Sequence, residues 1–140
     1  MHKKLIIYTD GGARGNPGEA AIGVVIKKPD GDLKEYSEQI GDATNNIAEY
    51  KAVIFGLKKA KALLGGDEAV KTEVEVRSDS ELVVSQQNGK YQIKEEALKP
   101  LFIDVWNLRQ EFKEVRFVAI RREENKEADK LVNRALDTLL

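Results

Sequence analysis

Alternating apolar and polar stretches predict three strands at the start of the chain. The apolar, β-branched segment 4–9 predicts a buried strand that stops at Asp10. Three glycines and a proline make residues 12–18 a tight loop, and a β-rich run follows at 20–26. A turn with proline and glycine then leads into a third run, 33–40, so these segments predict a hairpin and an antiparallel start to the sheet.

Helical and strand patterns alternate along the rest of the chain. The predicted elements are a helix over 45–64 capped by Thr44, a fourth strand around Val74 and Val76 that ends at 77–79, a short helix through 82–84, a helix over 97–112, a fifth strand over 115–120 and a closing helix over 127–139. Three consecutive strands followed by alternating helices and strands predict an α/β fold, with a mixed five-stranded sheet covered by helices.

Length and composition exclude several classes of protein. The chain has 140 residues, of which 41% are hydrophobic and 34% charged, and this predicts a single domain, residues 1–140. The helical spacing around Tyr50 and Trp106 favours core positions for both over a role as stacking platforms. It contains no cysteine and one histidine, His2, which excludes zinc–thiolate sites, thiol nucleophiles and serine–histidine triads. No apolar run approaches the roughly 18 residues of a membrane span, so we expect no membrane association and a cytoplasmic location.

Four acidic residues fall where the predicted elements bring side chains to one edge of the sheet. Glu49 shares its helical stripe with small and apolar residues, which are Ala52, Val53, Gly56 and Ala60. Asp129 lies beside the stripe of the last helix, which comprises Ala128, Val132, Ala135, Leu136 and Leu139. Asp10 and Asp79 follow the first and fourth strands, and if these strands are parallel neighbours their carboxyl ends meet at one crevice.

Converging carboxylates without histidine or cysteine are typical of a site for a hard, oxygen-preferring ion, Mg²⁺ or Mn²⁺. Two such ions about 4 Å apart can activate water and stabilise the leaving oxygen in phosphodiester hydrolysis. Taken singly, each acid is better explained by a capping, turn or partly exposed position. Their combination favours the metal site.

Polar residues suited to nucleic acid surround the predicted crevice. Asn16 lies in the glycine loop, and Thr44, Asn45 and Asn46 open the helix that carries Glu49. Such groups can bind phosphate, and asparagine can also contact the 2′-hydroxyls of an A-form minor groove. The alternative is that these residues only cap the helix.

Several motifs together make the chain resemble ribonuclease H, type 1, over nearly its whole length. They occupy residues 8–12, 14–18, 44–49, 78–80 and 124–129. The resemblance implies a ribonuclease H-like fold, with a five-stranded mixed sheet in the order 3-2-1-4-5 and strand 2 antiparallel to the rest. It also implies one catalytic domain that cleaves the RNA strand of RNA–DNA hybrids with two divalent ions and leaves 5′-phosphate and 3′-hydroxyl ends.

The resemblance also implies roles for individual residues. The catalytic, metal-binding acids are Asp10, Glu49, Asp79 and Asp129. Minor-groove contacts to the hybrid are implied for Asn16, Asn45 and Asn46, and a contact to a DNA-strand phosphate for Thr44. We expect the protein to act on the hybrid as a monomer.

This chain departs from the family's pattern in three places. Many members carry a loop histidine before the last aspartate, thought to assist product release, where this chain has Arg121 and Arg122. These arginines either assist release electrostatically or pair with neighbouring glutamates on the surface. A basic protrusion is absent after residues 85–90, and Glu95 stands where an asparagine is expected in a phosphate pocket. A glutamate there repels phosphate unless it turns away.

Two other functions are compatible with parts of this pattern. Another nuclease of the same fold, acting on duplex RNA or on particular nucleic-acid structures, would share the acids but not necessarily the asparagines. A catalytically silent hybrid-binding module is disfavoured, because a binder gains nothing from clustered negative charge beside phosphates.

Overall fold

Five strands form one mixed sheet in the computed structural model of the chain, which describes residues 3–138. The strands are β1 (Lys3–Arg14), β2 (Gly18–Lys27), β3 (Leu33–Ala43), β4 (Thr72–Ser78) and β5 (Glu114–Ala119). Their order in the sheet is β3-β2-β1-β4-β5. β2 runs antiparallel to both of its neighbours, whereas β1, β4 and β5 are mutually parallel. The predicted α/β fold and strand order are confirmed.

Within residues 3–138, five α-helices and two short 3₁₀ turns connect and cover the strands. The helices are α1 (Asn45–Leu64), α2 (Gly66–Ala69), α3 (Glu81–Gln87), α4 (Lys99–Arg109) and α5 (Lys126–Asp137). The 3₁₀ turns are Glu96–Leu98 and Arg122–Glu124. None of the helices within residues 3–138 is long and apolar enough to cross a membrane.

Helices α1 and α5 lie on opposite faces of the sheet. Adjacent residues of a strand point to opposite faces. A Cβ atom added to Gly11 would meet the backbone of Ala48 in α1, whereas one added to Gly12 would meet Val132 in α5. β2 therefore has helices on both sides, and every residue of its segment Ala20–Ile26 is buried. This explains the continuous apolar run seen in the sequence.

The ends of α1 agree with the sequence prediction. The Thr44 hydroxyl accepts a hydrogen bond from the Ile47 backbone N–H (3.2 Å), which satisfies one of the free donors of the first turn. At the other end, Gly65 has a φ of 80° and its N–H donates to the Lys61 carbonyl (2.8 Å). Glycine adopts this backbone conformation without the steric penalty of a side chain. Helix α1 thus begins and ends where predicted.

Helix α4 is shorter than the predicted helix over 97–112. A 3₁₀ turn precedes it, and it ends at Arg109 because the chain must then join the sheet beside β4, where the Lys113 N–H donates to the Thr72 carbonyl (3.1 Å). Trp106 was expected in the core but is 52% exposed, since the buried residue of α4 is its neighbour Val105. The one-turn helix α2 was not predicted. Leu139, the predicted end of the last helix, lies outside the described residues, as does His2.

Side chains cover the outer edge of β5, the last strand of the sheet. The guanidinium of Arg109 donates to the Val115 carbonyl (3.2 Å), and the Asn88 amide donates to the Phe117 carbonyl (3.2 Å). The same guanidinium lies 5.2 Å from the centre of the Phe117 ring. These contacts tie the edge strand to α3 and α4.

We predict that Gly23→Ala destabilises the protein whereas Gly66→Ala does not. An added Cβ at Gly23 would lie 2.1 Å from the Ala128 carbonyl oxygen of α5, so the helix must move away from β2. The expected loss is about 3 kcal/mol of unfolding free energy, or about 10 °C in melting temperature. Gly66 is the matched control because nothing lies within 4 Å of its added Cβ. Thermal melts of the two variants check the prediction, and equal melting temperatures would contradict it.

Candidate active site

The site lies where β1 and β4 separate. Their last paired residues are Thr9 and Ser78, after which β4 ends while β1 continues beside β2 as far as Arg14. The sequence prediction that the first strand stops at Asp10 is therefore wrong. Residues 12–14, which were predicted to lie in a tight loop, pair with β2 in a long antiparallel hairpin. The glycine and alanine residues of this part of β1 fit between α1 and α5 because they carry little or no side chain. Asp10 and Asp79 are the first residues beyond the last β1–β4 pair, so they face each other across the gap.

Glu49 reaches the same gap from helix α1. An added Cβ at Gly11 would lie only 2.3 Å from the Ala48 carbonyl carbon, so the helix rests almost directly on the strand. At this separation the Gly11 backbone N–H donates to Glu49 Oε1. One carboxylate oxygen from each of Asp10, Glu49 and Asp79 lies within 4.8 Å of the others. The structure thus brings three of the four predicted acids together.

Asn125 holds Asp79 in place, a contact that the sequence analysis missed. Its side chain is 1% exposed, and its Nδ2 donates both to the Thr9 carbonyl (2.9 Å) and to Asp79 Oδ2 (3.3 Å). Its Oδ1 is buried without a hydrogen-bond partner among residues 3–138. The signal in the sequence was its place in the motif at 124–129, immediately before the helix that carries Asp129.

Asp129 lies at the edge of this group rather than within it. It is exposed on the first turns of α5, where the Asn133 amide donates to its Oδ2 (3.4 Å). It nevertheless lines the same cleft of about 520 Å³ as the three clustered acids. The prediction that it lies beside the buried stripe of its helix is compatible with this position.

Burial and the repulsion of neighbouring carboxylates raise the pKa values of two of the clustered acids, Asp10 and Glu49. Burial, together with the charges of Asp79 and Asp129, raises the pKa of Asp10 to about 7. Burial and the charge of Asp10 raise the pKa of Glu49 well above its ordinary value, although the Gly11 N–H opposes this shift. Within the described part of the chain, no lysine or arginine forms an ion pair with these three carboxylates. A donor set made of carboxylate oxygens alone fits a hard divalent cation, whose charge would relieve this repulsion.

The predicted nucleic-acid contacts lie beside the cleft and are held by hydrogen bonds. Asn16 Oδ1 accepts from the Asn45 backbone N–H (3.0 Å), and Asn45 Oδ1 accepts from the Ala13 N–H (2.9 Å). These bonds join the β1–β2 hairpin to the start of α1. Asn46 Nδ2 donates to Glu95 Oε1 (2.8 Å), so the glutamate has a partner within the protein.

The two arginines before α5 occupy different environments. Arg121 pairs with Glu124: its backbone N–H (3.0 Å) and Nε (3.3 Å) both donate to Glu124 Oε1. Arg122 instead lines the cleft with the acids. The surface-pairing alternative therefore describes Arg121, and only Arg122 faces the site.

Known proteins similar to this chain include several ribonucleases H. A family model described as reverse transcriptase-like matches residues 8–135. The RNase H1 isolated from compost by a metagenomic approach, LC11-RNase H1, is 50% identical with a TM-score of 0.89, over 97% of each chain. A second structure of that protein, 49% identical with a TM-score of 0.89, is in complex with an RNA/DNA hybrid and covers 96% of this chain and 98% of the other.

Curated relatives differ in how much of their length the chain covers. A bifunctional protein of Mycobacterium tuberculosis is 40% identical over 96% of this chain but only 36% of the relative, so this chain spans about a third of that protein. Ribonuclease H of Clostridium botulinum is 31% identical over 96% of this chain and 97% of the relative.

We predict that Asp10→Asn stabilises the metal-free protein more at pH 8 than at pH 5. The pKa of Asp10 is about 7 in the folded state against an ordinary 3.8, so the folded state binds a proton at Asp10 more tightly than the unfolded state does. The stability that this proton contributes is complete below pH 3.8 and is lost as the pH rises through 7. Asparagine cannot ionise, so the advantage of the variant should grow by about 2–3 kcal/mol between these two pH values. Thermal melts in EDTA check this, with the exposed Asp104→Asn as control. An advantage independent of pH would contradict the prediction.

Proposed function

We propose that this chain, which belongs to the ribonuclease H family, hydrolyses the RNA strand of RNA–DNA hybrids at internal positions and leaves 5′-phosphate and 3′-hydroxyl ends. The observation that carries the proposal is the cluster of Asp10, Glu49 and Asp79 at the point where β1 and β4 separate. Support comes from LC11-RNase H1, which is about half identical in sequence and was solved with an RNA/DNA hybrid.

We further propose two Mg²⁺ ions per site, or Mn²⁺ in their place, held by Asp10, Glu49, Asp79 and Asp129. When bound there, the ions supply the positive charge that activates water and stabilises the leaving oxygen of a phosphodiester. The chain's own contribution is placement: the Gly11 N–H fixes Glu49, and Asn125 fixes Asp79. Carboxylates held in this way need little rearrangement when they bind a cation.

The asparagines and Thr44 are proposed to position the hybrid. With Oδ1 of Asn45 occupied by the Ala13 N–H, its Nδ2 is left to donate to acceptors in the minor groove. The Thr44 hydroxyl accepts from the Ile47 N–H, which leaves its own O–H to donate to a phosphate oxygen. Asn16 acts on this surface by bonding the Asn45 backbone. Capping and substrate contact are therefore compatible, since each side chain has a second polar group.

The buried repulsion at the site weighs against a silent hybrid-binding module. A binder would be more stable without two buried carboxylates whose pKa values are raised. A nuclease of the same fold with another substrate shares this feature, and only activity measurements separate it from a hybrid nuclease. Action as a monomer and a cytoplasmic location stay predictions.

The function is tested by comparing substrates side by side. In Mg²⁺ the protein should cut the RNA strand of a hybrid and leave duplex RNA and duplex DNA largely intact, and EDTA should abolish cleavage. Asp10→Asn should lower the rate of cleavage by more than about a hundredfold, because one carboxylate oxygen that can bind a metal ion is lost. The Asp104→Asn control, on the exposed side of α4, should retain the rate. Preferential cleavage of duplex RNA would support the other nuclease, and hybrid binding without cleavage would support the binding module.

Arg122 is proposed to draw the product phosphate away from the site. Cleavage gives the new 5′-phosphate an additional charge, so its release can limit turnover. A guanidinium at the edge of the cleft can bind two phosphate oxygens at once.

We predict that Arg122→Ala lowers steady-state turnover by about three- to tenfold and leaves the single-turnover cleavage rate nearly unchanged. Arg121→Ala is the matched control, because its guanidinium pairs with Glu124 and does not line the cleft. Quenched-flow and steady-state assays of both variants provide the measurement. Equal losses in the two assays, or a loss only in Arg121→Ala, would refute the release role.

A further inference from the structure

The side-chain amides of Asn45 and Asn46 are fixed in opposite orientations. Asn45 Oδ1 accepts from the Ala13 N–H, whereas Asn46 Nδ2 donates to Glu95 Oε1 (2.8 Å). An ionised carboxylate only accepts hydrogen bonds, so the NH₂ end of Asn46 must be the end that faces Glu95. The two neighbouring amides are therefore left with different free groups, an NH₂ group in Asn45 and a carbonyl oxygen in Asn46.

Asn46 is left with a free carbonyl oxygen. The residue is partly exposed, and no group within residues 3–138 donates to its Oδ1. Asn45, which is exposed, is left with its NH₂ group. The surface at the start of α1 thus offers one hydrogen-bond donor and, one residue later, one acceptor.

We propose that Glu95 is a specificity-determining residue, which holds Asn46 so that its carbonyl oxygen meets a hydrogen-bond donor of the nucleic acid. The inference rests on the proposed function, since it concerns the substrate of that site. In a minor groove the bases present acceptors, and only guanine adds a donor, its N2 amino group. The 2′-hydroxyl of RNA is the other donor available there. Asn46 should therefore favour guanine or a ribose at one position, whereas the NH₂ of Asn45 finds an acceptor on any base.

Without Glu95 this preference should disappear. A free amide can rotate by half a turn and offer either its oxygen or its nitrogen, so it accepts from a donor or donates to an acceptor equally well. The carboxylate removes that choice. The negative charge of Glu95 near phosphates opposes the binding of nucleic acid. The observed contact supports another role for Glu95, which is to fix the orientation of the Asn46 amide.

The experiment compares the wild type with Glu95→Ala on a set of short hybrids. In one series each guanine is replaced by inosine, which lacks the N2 amino group, and in the other each 2′-hydroxyl is replaced by fluorine, which cannot donate. At one position the wild type should lose about three- to tenfold in kcat/KM, the effect of one hydrogen bond. Glu95→Ala should lose less than about twofold there. A loss with inosine identifies the guanine amino group as the donor, and a loss with fluorine identifies the hydroxyl.

Glu96→Ala is the matched control. It removes the same charge one residue further along, and Glu96 bonds Lys99 (2.6 Å) instead of Asn46. This variant should keep the wild-type sensitivity at every position. If it loses the sensitivity as well, the effect is one of charge and the inference is wrong.

An NMR measurement tests the orientation without any cleavage. The chemical shifts of the two Nδ2 protons of Asn46 should differ more in the wild type than in Glu95→Ala, because the bond to Glu95 adds to the difference that every side-chain amide shows. Unchanged resonances, or equal sensitivity of wild type and variant to every substitution, would overturn the inference alone. Failure of the wild type to cut any hybrid would overturn the proposed function and the inference with it.

Discussion

The close contact between Gly11 and Ala48 sets the distance between α1 and the sheet. No side chain fits between them, since an added Cβ would lie 2.3 Å from the helix backbone. Only at this separation can the Gly11 N–H reach the Glu49 carboxylate, and only then does that carboxylate come within 4.8 Å of Asp10 and Asp79. The chemistry of the site thus depends on a steric condition that a single methyl group would break.

The fold holds the carboxylates of Asp10, Glu49 and Asp79 close together although their negative charges repel one another. Apolar side chains of β1, β4 and α1, including Leu5, Val76 and Val53, form the main core beneath the site. Burial is also the leading cause of the raised pKa values of Asp10 and Glu49. Packing that removes these carboxyl groups from water therefore increases the tendency of the site to bind a proton or a cation.

Local sequence patterns were sufficient for the mixed five-stranded sheet and its helices, whereas the strand order came from the resemblance to ribonuclease H. They were also sufficient for Glu49, because helical periodicity assigns that residue to a buried stripe of small side chains. They were insufficient where a residue's position depends on which distant segments of the chain it contacts. Nothing local indicated that β1 continues past Asp10, since its pairing with β2 depends on helices packed on both faces. Likewise, Trp106 points outward because α4 turns Val105 inward, and Arg121 and Arg122 separate because one of them finds Glu124. Such outcomes depend on tertiary contacts rather than on local propensity.

The side chains on the outer edge of β5 have a consequence for association between molecules. A bare edge strand offers a row of backbone groups with which a strand of another chain can pair. Here Arg109 and Asn88 already bond the carbonyls of Val115 and Phe117, so an incoming strand would have to displace both side chains first. The sheet is thereby protected against edge-to-edge polymerisation on this side, and the shortness of the strand adds to that protection.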